Sequence, residues 1–457
     1  MSWSTVRARM ITLGALSGLV ACEGLIGASF DRSLRPENAD ASDDADTPTD
    51  EAGVRDGASD ARPGDAKKPA DAAPATPPSC GDTSGLDTNA AWPMAGYCPT
   101  RPNRSLAPSM VSPAVRRRFT LAPTSGGATF TYFASGAAID DAGVAYALVT
   151  EIADASLHIY AVAIDGTTEA WRTDVTPGLA YVSPDGMPVL AANGNVYAAV
   201  GSTLVAMSRA GKVAWSRGLG STVGAPLVLG DGTVVMTVGA TVRALTPSGD
   251  DAWTFSIDGS SGYFFRGVTA TPSGALLVVQ DVGGDAMLWS FNPGGSVNWS
   301  RPLTSQGSSV VVVDDQSQAI ARTRSTLAVF GAGGATLLTK ATATGGHATN
   351  VLPALLPSGN AWFGDGFDLL FYDAASGGTS VTTRSGRHSS VVGTSDGDAV
   401  FAEAVTPDAH VVSIGPDGQE RWSVPIDLSG ADLQPPSLDK DGSVYVPFGQ
   451  TLYVVGP

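Results

Sequence analysis

Basic residues are scarce in this sequence of 457 residues, where 27 lysines and arginines stand against 44 aspartates and glutamates. The formal net charge is −17, and an acidic surface repels phosphate backbones, so we expect no nucleic-acid partner. Charged residues make up only 16% of the chain, whereas glycine (55) and proline (30) are abundant. Long helices need runs without glycine, so the composition favours many short strands joined by turns.

Cysteine is also scarce, and its three copies are an odd number for an exported chain. Residues 1–22 resemble a signal peptide, with two arginines before a short apolar segment, Met10–Val20, that is too short for a permanent membrane span. The segment ends in Leu-Val-Ala-Cys, which resembles a lipobox and implies that Cys22 is lipidated. Two or more acyl chains on one residue anchor a protein stably. The alternative is an ordinary secretory leader with a chance cysteine.

Residues 23–79 lack the large apolar side chains that a folded core requires. From Asp31 to Ser79 there are 12 acidic and 6 basic residues, and most of the rest are Ala, Pro, Gly, Ser and Thr. Burial in such a segment does not offset the entropy of ordering it, so we expect a disordered acidic linker that lifts the folded part off a membrane. A binding tail is the alternative interpretation.

The two other cysteines, Cys80 and Cys98, lie at the start of the predicted folded region, residues 80–457. An oxidising envelope favours a disulfide between them, and the alternative is two unpaired thiols. Metal binding by two lone cysteines is disfavoured because zinc takes four ligands.

From about residue 138 the sequence repeats with a period of about 42 residues, the length of a four-stranded propeller blade. One repeated signal is a turn that ends in glycine before an apolar strand, and glycine suits the positive φ of tight hairpins. It has eight copies, with one serine in place of glycine: Gly143, Gly194, Gly232, Gly274, Ser317, Gly359, Gly397 and Gly442.

A second repeated signal is a glycine followed by a large apolar residue, usually tryptophan, which we interpret as a packing anchor between blades. It has seven copies: Gly166–Trp171, Gly211–Trp215, Gly249–Trp253, Gly295–Trp299, Gly334–Leu338, Gly377–Val381 and Gly418–Trp422. A propeller closes when the two termini share a blade, which removes the open sheet edge. Eight turns and seven anchors therefore predict an all-β, eight-bladed β-propeller whose last blade is completed by residues 115–121, with Phe119 at the anchor position.

The repeat, an apolar strand, an Asx-Gly turn, a second strand and Gly-x-x-x-Trp, resembles that of the PQQ-like β-propellers. The segment Trp92-Pro93-Met94-Ala95-Gly96 is also similar to the start of many envelope propellers of this group. The group includes quinoprotein alcohol dehydrogenases and BamB, a lipoprotein of the outer-membrane assembly machinery. The resemblance implies the fold for residues 92–457 and says little about function, because one fold serves many functions.

The residues do not favour catalysis. Quinoprotein dehydrogenases carry two adjacent cysteines against the quinone, whereas this sequence has no adjacent cysteines. We therefore expect that it binds neither PQQ nor another cofactor. The four histidines are scattered, and no nucleophile or phosphate-loop motif is present. The stretch Asp439-Lys440-Asp441-Gly442 has too few oxygen ligands for calcium and occupies a repeat turn, so we expect no metal.

Variable loops on a rigid scaffold usually carry binding, and here they lie opposite the uniform glycine turns. Segments Thr150–Leu157 and Glu403–His410, interpreted as long loops, flank the same face. Tyrosine, phenylalanine and arginine are favoured at interfaces, and the alternative for the two phenylalanines is packing beneath the rim. The predicted binding residues are Tyr263, Phe264, Phe265, Arg266, His347, Asn350, Arg387 and His388.

The resulting hypothesis is a non-catalytic, lipid-anchored scaffold or binding propeller of the cell envelope, monomeric, with a protein or glycan partner. One alternative is an outer-membrane assembly factor of BamB type, from which the long acidic linker departs. Another is an envelope enzyme that acts on a glycan.

Overall fold

A computed structural model describes residues 79–457 except 125–126, 154–155, 177–185, 257–266, 283–284, 305–310, 324, 343–351, 366–367, 385 and 428–432. Cys22 and all of the predicted linker except Ser79 therefore lie outside the described residues. The described residues contain strands and no helix, so none of them forms a helix that is long and apolar enough to cross a bilayer.

The strands form eight antiparallel sheets arranged as the blades of a propeller, as predicted. Blades 1 and 7 each have five strands and the other six have four. In blade 1 the strands are β2 (Ala128–Phe133), β3 (Ala138–Ile139), β4 (Ala145–Ala153), β5 (Ser156–Asp165) and β6 (Thr168–Asp174). In blade 7 they are β27 (Arg387–His388), β28 (Val392–Gly393), β29 (Ala399–Val405), β30 (Asp408–Ile414) and β31 (Glu420–Ile426).

The remaining blades follow one pattern, a two-residue inner strand and three longer strands. Blade 2 has β7 (Val189–Leu190), β8 (Asn195–Val200), β9 (Thr203–Ser208) and β10 (Val213–Gly218). Blade 3 has β11 (Leu227–Val228), β12 (Val234–Val238), β13 (Thr241–Leu245) and β14 (Asp251–Ser256). Blade 4 has β15 (Thr269–Ala270), β16 (Leu276–Val282), β17 (Asp285–Phe291) and β18 (Val297–Leu303). Blade 5 has β19 (Val312–Val313), β20 (Ala319–Arg322), β21 (Thr326–Phe330) and β22 (Thr336–Ala341). Blade 6 has β23 (Ala354–Leu355), β24 (Ala361–Asp365), β25 (Asp368–Asp373) and β26 (Gly378–Thr383).

Blade 8 is built from both ends of the described chain. It contains β32 (Ser437–Leu438), β33 (Val444–Phe448), β34 (Thr451–Gly456) and, as its outer strand, β1 (Ala114–Thr120). β1 pairs antiparallel with β34, and Phe119 lies opposite Leu452. This pairing covers the edge that β34 would otherwise expose.

The first repeated turn has the backbone conformation that the sequence predicted. All seven glycines have φ between +80° and +96°, and the one exception in sequence, Ser317, also has a positive φ of 61°. The turn geometry is therefore kept even where the residue is not glycine, because the chain must reverse direction there to form the next antiparallel strand.

The second repeated signal joins neighbouring blades, which confirms the interpretation of the tryptophans as packing anchors. Trp253 of blade 3 covers Gly295 of blade 4 so closely that a Cβ atom on the glycine would lie 2.7 Å from the indole. Trp171 likewise covers Gly211, and its Nε1 donates a hydrogen bond of 2.7 Å to the Arg209 carbonyl of blade 2. The glycine and the tryptophan of one repeat therefore act at opposite sides of the same blade.

The contact between Trp253 and Gly295 can be tested by comparing two glycine-to-alanine substitutions. Gly295 and Gly274 both have a φ of +87°, so alanine costs about 1 kcal/mol of backbone strain at either position. Only at Gly295 must Trp253 move as well, whereas the nearest atom to a Cβ at Gly274 is 3.9 Å away. We expect Gly295→Ala to lower the free energy of unfolding by about 1–3 kcal/mol more than Gly274→Ala, measured by urea denaturation. Equal losses would contradict this anchoring role.

Candidate functional site

The alternation of antiparallel strands gives the propeller two different faces. The turns that end in Gly194 and Gly211, and their counterparts in other blades, lie on one side, here called the turn face. The hairpins between the middle strands and the connections between blades lie on the opposite side, here called the loop face.

The centre of the ring at the turn face is occupied by residues 79–113, here called the plug. Trp92 and Ile139 exchange two backbone hydrogen bonds of 2.9 Å, and most plug residues between 90 and 105 are buried. The plug has a hydrogen-bonding partner in every blade, namely Ile139, Leu190, Gly230, Ala270, Val313, Leu355, Gly393 and Lys440.

A buried arginine lies at the centre of the plug. Arg101 has no exposed surface, and its guanidinium donates to the carbonyls of Val268 at 2.7 Å, Ala95 at 3.0 Å and Ala225 at 3.5 Å. Its side chain thus connects the plug to blades 3 and 4. Hydrogen bonds to a charged donor are roughly twice as strong as those between neutral groups, so this contact helps to fix the plug in the ring.

The predicted disulfide between Cys80 and Cys98 is confirmed and lies within the plug. The Cα atoms are 5.5 Å apart, and 18 positions separate the two cysteines in sequence. Cys98 is buried and Cys80 is half-buried. The bond therefore ties the first described residues to the part of the plug that lies deepest in the ring.

Two of the eight predicted binding residues lie within the described part of the chain. Tyr263, Phe264, Phe265, Arg266, His347 and Asn350 lie outside the described residues. Arg387 and His388 form β27, where Arg387 is exposed and His388 is 8% exposed. The His388 ring lies edge-on against Phe401, with 5.5 Å between ring centroids. The structure therefore places Arg387 on the surface and the imidazole of His388 in packing contact with blade 7.

Two segments that the sequence interpretation treated as long loops are strand extensions, which corrects that interpretation. Thr150–Leu157 belongs mainly to β4 and β5, and Glu403–His410 belongs mainly to β29 and β30. The extra strands β2 and β27 pair with these extensions. Blades 1 and 7, on either side of blade 8, therefore reach further on the loop face than the others.

Each of the two extensions contains a buried glutamate that the sequence interpretation missed. Glu403 is 2% exposed and binds the Arg384 guanidinium through both oxygens, at 3.2 and 2.6 Å. It also accepts the Gly386 backbone N–H at 3.2 Å, which holds the segment before Arg387. A sequence signal existed, because Glu151 and Glu403 are each followed seven residues later by a histidine paired across the hairpin.

The second buried glutamate, Glu151, organises the end of blade 1. It accepts hydrogen bonds from the Thr124 backbone N–H at 2.9 Å, the Thr124 hydroxyl, and the Thr131 hydroxyl at 3.3 Å. Burial by itself raises the pKa of Glu151, but these hydrogen bonds and the charge of Arg172 hold that pKa below its ordinary value. Glu151 is therefore an ionised structural group rather than a proton donor at neutral pH.

This pKa direction predicts a loss of stability in acid. Because the folded-state pKa of Glu151 is depressed, its stabilisation is present above its ordinary pKa of 4.5 and is lost as the pH falls through the folded value. We expect Glu151→Gln to cost about 1–3 kcal/mol at pH 7, and this difference from the wild type to shrink below pH 4.5, in urea denaturation at several pH values. Of the hydrogen bonds to Glu151, Thr124→Val removes only that of the hydroxyl, so the stability difference between this variant and the wild type should shrink less as the pH falls. A difference that stays constant with pH would contradict the assignment.

The described residues also bear on metal binding. Among them, no group of three or more His, Cys, Asp or Glu side chains is arranged to hold a metal ion. Asp439 and Asp441 accept backbone N–H groups of their own turn, at Lys440 and Ser443, and Gly442 has a φ of +85°. These aspartates stabilise a repeat turn.

Comparison with known proteins agrees with the architecture. Residues 155–359 match the family described as outer membrane protein assembly factor BamB. The structure of BamB from Moraxella catarrhalis aligns with a TM-score of 0.50 and 14% identity, over 76% of this chain and 98% of that one. The Dos1 propeller aligns with a TM-score of 0.52 and 11% identity, over 76% and 95% of the two chains. No curated protein matches the sequence. The chain is thus an eight-bladed β-propeller with PQQ-like repeats, similar in fold to BamB.

Proposed function

We propose that this chain is a non-catalytic lipoprotein of the bacterial cell envelope, tethered through Cys22, whose propeller binds a protein partner through the loop face. The lipobox-like end of the leader supports the tether. The match of residues 155–359 to the family described as an outer membrane protein assembly factor favours a partner in an outer-membrane complex.

The plug is the observation that carries this proposal. Its hydrogen bonds reach every blade, so the ring centre is already filled by protein at the turn face. The loop face is the less uniform side, because blades 1 and 7 are extended there by β2 and β27. Irregular segments on a rigid scaffold are suited to selective binding.

The tether can be tested with an alkyne analogue of a fatty acid added to growing cells. We expect the wild type to take up the label and sediment with membranes, and Cys22→Ser to lose both properties. Equal labelling of the two proteins would exclude lipidation at Cys22.

The binding face can be tested with two sets of alanine substitutions and crosslinking in intact cells. The loop-face set replaces Tyr263, Arg266 and Arg387, and the matched turn-face set replaces Asn193, Asp231 and Ser358. We expect the same identified envelope protein to be crosslinked to the wild type and to the turn-face set, and to be lost with the loop-face set. Equal crosslinking of both sets would refute the proposed face.

A further inference from the structure

The junction between blades 8 and 1 differs from the four junctions between blades 1 and 5. At Gly211, Gly249, Gly295 and Gly334, a tryptophan from the preceding blade lies 2.6–2.9 Å from where a Cβ atom would be. At Gly166 of blade 1 the nearest atom is Nη1 of Arg117, 3.8 Å away. Phe119, at the anchor position of blade 8, is instead 7% exposed and packs in the core. This junction therefore lacks the tryptophan cover found at the four junctions between blades 1 and 5.

A groove of about 660 Å³ lies at this junction. One wall is the segment from Phe119 to Thr124, and the other is formed by Tyr160, Glu169, Arg172 and Asp174 of blade 1. Its size falls within the range of about 300–1,000 Å³ that is typical of small-molecule sites.

Both walls are fixed before any ligand arrives. The buried carboxylate of Glu151 binds the backbone N–H and the hydroxyl of Thr124, which holds the first wall. On the second wall, Glu169 binds the Arg172 guanidinium at 3.0 and 2.6 Å, and Arg172 lies 5.6 Å from the centroid of the Tyr160 ring. A preformed groove avoids the ordering cost that weakens binding.

The groove lining combines an aromatic ring, hydrogen-bond acceptors and an excess of negative charge. The His158 ring stacks beside Tyr160 at 6.2 Å, and the Asp174 carboxylate, 4.0 Å from His158, is half exposed. Glu151, Glu169 and Asp174 outnumber Arg172, so an anionic ligand would be repelled. A sugar has an apolar C–H face for the ring and hydroxyl donors for the carboxylates.

We propose that this groove binds a neutral oligosaccharide, packed against Tyr160 and hydrogen-bonded to Asp174. The proposal goes beyond the protein-binding loop face and does not depend on it, because none of the groove residues is among those replaced in the loop-face set. The site is one for binding rather than hydrolysis, since Glu169 is engaged by Arg172 and Glu151 is ionised and buried.

Calorimetric titration of the full chain in detergent, with neutral tetrasaccharides of N-acetylglucosamine and of glucose, tests the proposal. We expect at least one of them to bind, and Tyr160→Ala and Asp174→Ala each to weaken that binding about tenfold. Asp251→Ala, an exposed carboxylate on β14, serves as the matched control and should bind as the wild type does. Because the Asp174 side chain is 55% exposed, its substitution keeps the test valid if Tyr160→Ala folds poorly.

Three results would overturn the proposal. The first is the absence of binding by either neutral sugar at millimolar concentration, and the second is binding that neither Tyr160→Ala nor Asp174→Ala weakens. The third is tighter binding of trigalacturonate or of a lysine-rich peptide, which would assign the groove to another class of ligand. The Cys22→Ser protein should bind the sugar unchanged, so failure of the tether proposal is distinguishable from failure of this one.

Discussion

Replacing Trp92 with alanine is expected to lower the free energy of unfolding by about 3–5 kcal/mol, the range for deleting a large buried aromatic side chain. Trp92 has no exposed surface and lies 5.3 Å from the Tyr97 ring, where the plug meets blade 1. Its loss leaves a cavity between two parts of the fold that cannot collapse independently, because the backbone of Trp92 is bonded to Ile139. Urea denaturation followed by circular dichroism measures the effect.

Two further variants serve as controls for this measurement. Val111→Ala changes a plug residue that is 85% exposed and should alter stability by no more than about 0.5 kcal/mol. Trp92→Phe keeps an aromatic ring and removes Nε1, which has no hydrogen-bond partner within the described residues, so it should cost clearly less than alanine. If Trp92→Ala and Val111→Ala cost the same, the plug contributes little to the stability of the ring.

The number and closure of the blades follow from local features that repeat along the chain. A positive φ at eight equivalent turns is visible in sequence because glycine tolerates it, and the period remains recognisable across the exception at Ser317. The glycine and the tryptophan of the second signal can also be recognised as a pair in the sequence. The residue that each of them contacts cannot be recognised there, because Trp253 contacts the glycine of the next repeat rather than its own.

The plug was beyond what sequence could predict. Its hydrogen bonds join residues far apart in the chain, such as Asn103 with Gly393, and no periodic pattern marks such contacts. Local composition between residues 80 and 113 resembles a loop. The buried environment comes from the eight blades that surround it. Leu86, Trp92 and Met94 are apolar and buried, but no periodic spacing of these residues marks the segment as part of a core.

The site residues were harder to predict than the fold for a related reason. The segments containing Glu151 and Glu403 read as loops because each holds a polar residue among short apolar stretches. In the structure each of those carboxylates is buried and paired with an arginine. Such a pair cannot be predicted until the strand that carries the arginine is known. The groove beside Tyr160 depends on blade closure, so residues 119–124 meet blade 1 only in the folded ring.

Removing the Cys80–Cys98 disulfide, by Cys80→Ser with Cys98→Ser, is expected to cost about 3 kcal/mol, because the bond closes a loop with a sequence separation of 18 and restricts the unfolded chain. The loss should appear as a lower urea midpoint, and wild type treated with a thiol reductant should match the double variant. Cys22→Ser provides the control and should leave the midpoint unchanged.

The same double variant should loosen the plug unevenly. The Asp87 amide bonds to the Leu190 carbonyl near the start of the plug, and with the disulfide absent its hydrogen exchange should accelerate by a factor of ten or more. The Asn103 amide, which bonds to Gly96 beside the buried Arg101, should remain protected at sub-denaturing conditions. This difference arises because Arg101 and its carbonyl partners hold the deep part of the plug without help from the disulfide. Equal acceleration at both amides would mean that the plug opens as one unit and that the disulfide, rather than the arginine, keeps it in the ring.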